Sequence, residues 1–237
     1  NCTIEGIGED SGIHGFGMLI RNAGNLELRN FAVMACLDDS VSLDTGNCNV
    51  WVHNLDLFYG KTGGDADQAK GDGTVDIKGK STYVTVSYNH FFDNGKSSLC
   101  GMKSEVTSSL ITYHHNWFDH SDSRHPRIRT MSVHIYNNYF DGNAKYGVGV
   151  TMGASAFVEA NYFRNVSKPM MSSGQGSDAL GQGTFSGENG GIIKAYNNKM
   201  VNENRVFSYY TQNSPASTGY DAYEVTSRTA QVPSSET

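Results

Sequence analysis

Short runs of alternating apolar and polar residues recur along most of this chain, and each run ends on an Asn followed by an aromatic or apolar pair. The copies are LELRNFAV around Asn30, VWVHNLDLF around Asn54, VTVSYNHFF around Asn89, ITYHHNWF around Asn116, VHIYNNYF around Asn138, AFVEANYF around Asn161 and IIKAYNNKM around Asn198. Successive Asn residues lie 24, 35, 27, 22, 23 and 37 positions apart, so a period of 22–24 is interrupted by insertions. A fixed period of that length is the mark of a solenoid.

Within each copy the alternation has period two, bends sharply at the Asn, and resumes for a few residues. This predicts coils of β-structure rather than helical repeats. Asn suits the bend because it tolerates the left-handed backbone region, and its amide can bond to the same atoms in the next coil. Stacked coils then place the asparagines in a ladder and the inward Val, Ile, Leu, Phe and Tyr side chains in columns, with no coil stable by itself. The repeated Asn and aromatic residues are therefore read as architecture, and chemistry is sought elsewhere.

Composition agrees with an all-β chain, since 27 Gly and 13 Tyr stand against 4 Pro and little enrichment in helix formers. The 237 residues fit one elongated domain over 1–237, with the stretch from about 205 to 237 packing on or trailing from the coils. No apolar run nears the roughly 20 residues that span a bilayer, so no membrane partner is expected. A net charge of -6 is opposite to the broad basic surface of a nucleic-acid binder. Cys2, Cys36, Cys48 and Cys100 show no CxxC spacing, which makes a structural zinc unexpected; Cys36 and Cys48 bracket a short stretch and are compatible with either a bridge or free thiols.

Insertions in a solenoid leave on particular faces and often build its binding surface. The longest are YGKTGGDADQAKGD, from Tyr59 to Asp72, which can join a cation site, and the Gly- and Ser-rich segment from about Lys168 to Gly191, which reads as a flexible rim. In GDGTVDIKGK, Asp72 and Asp76 lie four residues apart around Gly73. A turn there brings both carboxylates to one point, as a hard cation needing several oxygen ligands requires, although the same pair is at home in a solvated turn. Asp38 and Asp39 form a further acidic cluster that a neighbouring coil can bring within reach. SRHPRIRT sets Arg124 and Arg129 around Pro126, where alternating geometry aims guanidinium forks to one side, and Lys96 in DNGKSS adds another cation. Surface ion pairing would use the same residues.

Taken together, these segments resemble pectate lyases of polysaccharide lyase family 1 from about Asn1 to Asn198. The family's calcium-binding DGxxD pattern is matched by Asp72, Gly73 and Asp76, its substrate-lysine segment by DNGKSS with Lys96, and its RxPxxR signature by Arg124, Pro126 and Arg129. TIEGIGEDSGIHGFGMLIRNAGNLELRN and VWVHN are also similar to that family's early coils. Two departures stand out. The family's WxDH motif is here Trp51, Val52, His53 and Asn54, and the segment after Asp39 is one residue longer than in many relatives, which makes Asp38 the alternative to Asp39.

The resemblance implies a right-handed, single-stranded parallel β-helix with functional loop insertions. It also implies earlier strands and a capping helix ahead of the TIEGIG region. The implied reaction is calcium-dependent β-elimination of α-1,4-linked polygalacturonate to 4,5-unsaturated oligogalacturonates. Arg124 would be the catalytic base, Lys96 and Arg129 would hold substrate carboxylates, and Asp39, Asp72 and Asp76 would bind Ca2+. An arginine base calls for an alkaline optimum, since its solution pKa exceeds 12. A monomer acting outside the cell or in the periplasm fits such a substrate. The competing readings are a pectin lyase, which works without calcium on esterified polymer; a glycoside hydrolase using paired carboxylates, which leaves the arginine pair without a role; and a non-catalytic polysaccharide-binding β-helix.

Overall fold

The computed structural model describes residues 1–59, 72–102, 105, 109–173, 190–202, 207–210 and 221–224. All regular structure among them is β. Three parallel sheets, of nine, eight and eight strands, take one strand in turn from each coil, and each strand pairs with the one three places further along the chain. The architecture is a right-handed parallel β-helix.

The columns predicted from alternation form its core. In the first sheet Leu28, Val52, Val86, Tyr113, Ile135, Val158 and Ala195 stand in register and are buried. In the second sheet Phe91, Phe118, Phe140 and Phe163 stack with centroids 4.8, 5.0 and 4.3 Å apart. Burying one such side chain contributes about 1.5–3 kcal/mol, and repetition in register multiplies the gain without new geometry.

The bend between the first and second sheets divides between two adjacent residues the two tasks expected of one Asn. The first residue takes positive φ: Asn30, Asn54, Tyr88, His115, Asn137, Ala160 and Asn197 all lie between 52° and 61°. The second forms the ladder. The Oδ1 atoms of Asn89, Asn116, Asn138, Asn161 and Asn198 accept the backbone N–H of Leu55, Asn89, Asn116, Asn138 and Asn161 at 2.9–3.1 Å. Each of those asparagine amides also donates to a backbone carbonyl, Val52 O for Asn89 and Val86 O for Asn116. Asn30 and Asn54 therefore belong to the left-handed position and not to the ladder, where Phe31 and Leu55 stand instead. The correct spacing between these two coils and the next is 34, from Leu55 to Asn89.

The four cysteines are free. Cys36 lies buried in the corner leading to the third sheet, while Cys48 opens a first-sheet strand, Cys48–His53, at another corner of the coil. Nearness in sequence is undone by the winding of the chain. Residues 60–71 of the acidic insertion and 174–189 of the Gly- and Ser-rich one lie outside the described residues. So does the C-terminal segment from about 205, apart from strands Phe207–Tyr210 and Asp221–Glu224, which extend the third and first sheets.

Candidate active site

The predicted site residues converge along the third sheet and the corners that flank it. Alternation in the strand Val75–Ile77 turns Val75 and Ile77 into the core and Asp76 outward, one coil beyond Ser42 and one before Leu99. Asp76 is nonetheless buried, and its Oδ1 accepts the N–H of Leu99 at 3.0 Å. Gly73 leaves room for it: a Cβ there would lie 2.0 Å from Asp76 Oδ1. Burial first, and the Asp39 carboxylate second, push the Asp76 carboxyl up to about 8.

Asp39 reaches the same place from the preceding coil. Its Oδ2 accepts from Ser42 Oγ at 2.7 Å and from Lys78 Nζ at 2.5 Å, while its buried Oδ1 has no protein partner. Asp38, Asp39 and Asp72 can bring carboxylate oxygens within 4.8 Å of one another. Asp38 and Asp39 thus both lie beside Asp72. A bulge follows in the strand after Asp39: Ile20 faces Leu43 but Arg21 faces Thr45, and the intervening Asp44 pairs with Arg21 at 2.6 Å. Val41 and Ser42 keep register with Val75 and Asp76, so the bulge leaves the approach of Asp39 undisturbed.

Cations close the other side. Asp72 Oδ1 lies 3.2 Å from Lys96 Nζ and 3.6 Å from Arg124 Nη1. Burial works against ionisation of Asp72, but Lys96 and then Arg124 outweigh it and hold the carboxyl below the usual range. Arg124 has φ of 63°, a conformation that costs a non-glycine residue on the order of 1 kcal/mol, and its surroundings hold it there. Ser98 N–H donates to Arg124 O at 2.7 Å, Ser123 Oγ donates to Gly95 O at 2.9 Å, and Lys96 pairs with Ser123 across the coils. His125 is fully buried, bonded through Nδ1 to Tyr146 O at 2.7 Å and set edge-on to Phe118 and Tyr146. Burial pushes its pKa down to about 4, so it stays neutral and serves as a wedge beside Arg124.

Arg129, on the strand Arg127–Arg129, donates through Nη1 to Gly101 O at 3.1 Å. Arg127 shares the outward row of Asp76 and Leu99 and is buried. Sequence reading missed Lys78, yet the signal was there: two residues beyond Asp76 on an alternating segment, it must share that face. The Trp51–Asn54 departure belongs elsewhere. Trp51 stacks on His53 at 3.8 Å and His53 bonds Glu27 at 2.9 Å on the outer face of the first sheet, away from these carboxylates.

The donor set fits a hard divalent cation. All its members are oxygens, one buried carboxylate oxygen has no protein partner, and two carboxyls face each other at a cost that such an ion would relieve. Lys96 and Arg124 adjoin it, Arg129 lies on the same sheet, and such cations fit the carboxylates of an acidic polymer.

The family model for pectate lyase matches residues 1–235. The pectate trisaccharide-lyase of Bacillus licheniformis is 35% identical over 176 residues, 73% of this chain and 51% of that protein. A probable pectate lyase A of Neosartorya fischeri is 31% identical over 222 residues, covering 88% and 68%. Among solved structures, pectate lyase II of Xanthomonas campestris superimposes with a TM-score of 0.71 at 30% identity, over 90% of this chain and 63% of that one. A Bacillus pectate lyase in complex with trigalacturonate gives 0.73 at 28% identity, over 96% and 71%. The chain spans about half the length of the first of these curated relatives. The match along nearly the whole sequence, on the same solenoid, carries one conclusion: the chain belongs to the pectate lyase family.

Proposed function

We propose that the chain cleaves polygalacturonate by β-elimination, with calcium, and that the cleft along the third sheet is its active site. The observation that carries this reading is the ionic junction at Asp72, where an acidic, cation-seeking pocket from two coils meets Lys96 and Arg124 from the next two. The relative solved with trigalacturonate supports the substrate class.

Asp39, Asp72 and Asp76, with Asp38 beside them, would hold calcium, which when bound neutralises uronate charge and stabilises the enolate-like transition state. Lys96 and Arg129 hold the carboxylates of the sugars and fix the polymer across the cleft. Arg124 takes the proton from C5, the C4–O bond breaks, and the leaving oxygen is protonated from solvent, giving a 4,5-unsaturated end. The base must be neutral when it acts, so the rate rises toward alkaline pH. The protein works as a secreted monomer, one β-helix domain over its length. A pectin lyase needs no carboxylate cluster, and the retained Asp72 and Asp76 favour pectate.

The test is ultraviolet absorbance of polygalacturonate incubated with the protein, with calcium or chelator, beside Arg124→Ala. A calcium-dependent rise absent from the variant supports the reading. Reducing ends without absorbance would make the protein a hydrolase, and no product at any alkaline pH would leave a binding β-helix.

A further inference from the structure

Lys78 directly follows the strand Val75–Ile77, and its Nζ lies 2.5 Å from Asp39 Oδ2 and 3.6 Å from Asp76 Oδ2, with the side chain 16% exposed. Its stem is fixed. Lys78 N–H donates to Leu43 O at 2.8 Å, and Gly79, at φ of 58°, packs so closely on the coil beneath that a Cβ would lie 1.9 Å from Asp44 O. The ammonium thus meets Asp39 and Asp76, whereas Lys96 and Arg124 meet Asp72, and it bridges two carboxylates that come from different coils. A calcium ion held by Asp39 would contend for Oδ2 with an ammonium already 2.5 Å away, and the two cations would repel.

We propose that Lys78 is a tethered counter-cation: it holds Asp39 and Asp76 together while the pocket is without metal, and it lowers calcium affinity by competing for Asp39. This makes it a positioning residue that sets the calcium concentration at which the site fills. The inference rests on the reading that these aspartates hold calcium. In the metal-free protein the pocket keeps its shape because one positive charge is built in, and calcium binding amounts to exchange of that charge for a stronger one.

Calcium affinity by titration calorimetry and thermal unfolding in chelator or saturating calcium, on the unsubstituted protein, Lys78→Met and Lys78→Arg, test it. Lys78→Met is expected to bind calcium about tenfold more tightly, because an adjacent like charge is gone. It should also unfold at a lower temperature in chelator, a gap that saturating calcium closes, while Lys78→Arg follows the unsubstituted protein. A folded Lys78→Met with unchanged or weaker calcium binding overturns the proposal and leaves the calcium site standing. If the unsubstituted protein binds no calcium, the site reading falls and this inference falls with it. Should Lys78→Met not fold in either condition, Lys78→Gln decides: tighter binding supports the counter-cation and unchanged binding refutes it.

Discussion

From the second coil onward, each described coil turns its first corner, from the first sheet to the second, in only two residues, such as Asn54 and Leu55 between His53 and Asp56 or His115 and Asn116 between His114 and Trp117. The corners flanking the third sheet vary from coil to coil: Asp93 to Ser97 makes one, and Tyr59 to Thr74 makes the equivalent turn a coil earlier. In the first corner the backbone N–H groups of successive coils find a ladder amide, so there is no slack to vary. At the other corners polar groups are satisfied case by case, as Asn47 with Ser81 or Asn94 with Ser121. Stability resides in what repeats, and the candidate chemistry in what does not.

The sharpest way to break this contrast is Arg124→Ala. If Arg124 is the base proposed above, its loss should cut turnover of polygalacturonate about 10³-fold or more while the melting temperature scarcely moves. A comparable loss of stability would place Arg124 in the architecture instead.

Asn116→Ala is the mirror experiment. It removes the acceptor for Asn89 N–H and two donated bonds, to Val86 O and Asn138 Oδ1, for a loss of about 3 kcal/mol in urea unfolding with activity per folded molecule retained. Asn116→Leu, which repeats what Leu55 does naturally, should cost less.

Acid probes the wedge beside Arg124. His125 is neutral when folded and has its pKa lowered to about 4, so below the ordinary value of 6.5 the unfolded chain binds the extra proton. Its contribution to stability is complete above pH 6.5 and is lost as pH falls toward 4, about 1.4 kcal/mol per unit. Unfolding at pH 6.5 and 4.5 should therefore differ by about 2–3 kcal/mol more in the unsubstituted protein than in His125→Gln.

Gly73→Ala sharpens the contrast at the site itself. The new methyl drives the Asp76 carboxylate aside, and calcium affinity by calorimetry should weaken about tenfold with little change in melting temperature in chelator. Smallest of all, Asn54→Ala leaves the ladder intact and costs about 1 kcal/mol through its left-handed backbone and the lost bond between Asn54 Oδ1 and His53 Nδ1.

Much of this was legible in the sequence because period-two alternation and a 22–24 residue spacing follow directly from stacking. The misplaced Asn30 and Asn54 show where legibility stops. Asn meets both demands of the corner, the left-handed backbone and the intercoil amide, and in Asn137–Asn138 and Asn197–Asn198 it meets both at once. Residue identity could not say which task a lone Asn performs; only register could. The sequence left Cys36 and Cys48 open between a bridge and free thiols for a related reason, since separation along a coil is measured around its circumference, and the thiols are free. The pattern singled out Asp39, Asp72, Asp76, Lys96 and Arg124, which the fold brings close together, whereas Lys78 was passed over although the same alternation that aims Asp76 outward aims it too.

The bulge at Asp44 bears on how the gene for this chain can change. Ahead of it Leu43 still faces Ile77, and beyond it Cys48 still faces Gly24 and Thr82. A single-codon insertion at this point is absorbed within one strand and leaves every other coil aligned. The same insertion between Asn54 and Leu55 would separate the left-handed residue from its ladder partner and shift each later side chain against its column. Genes for such a chain can lengthen around the cleft and have almost no freedom at the first corner.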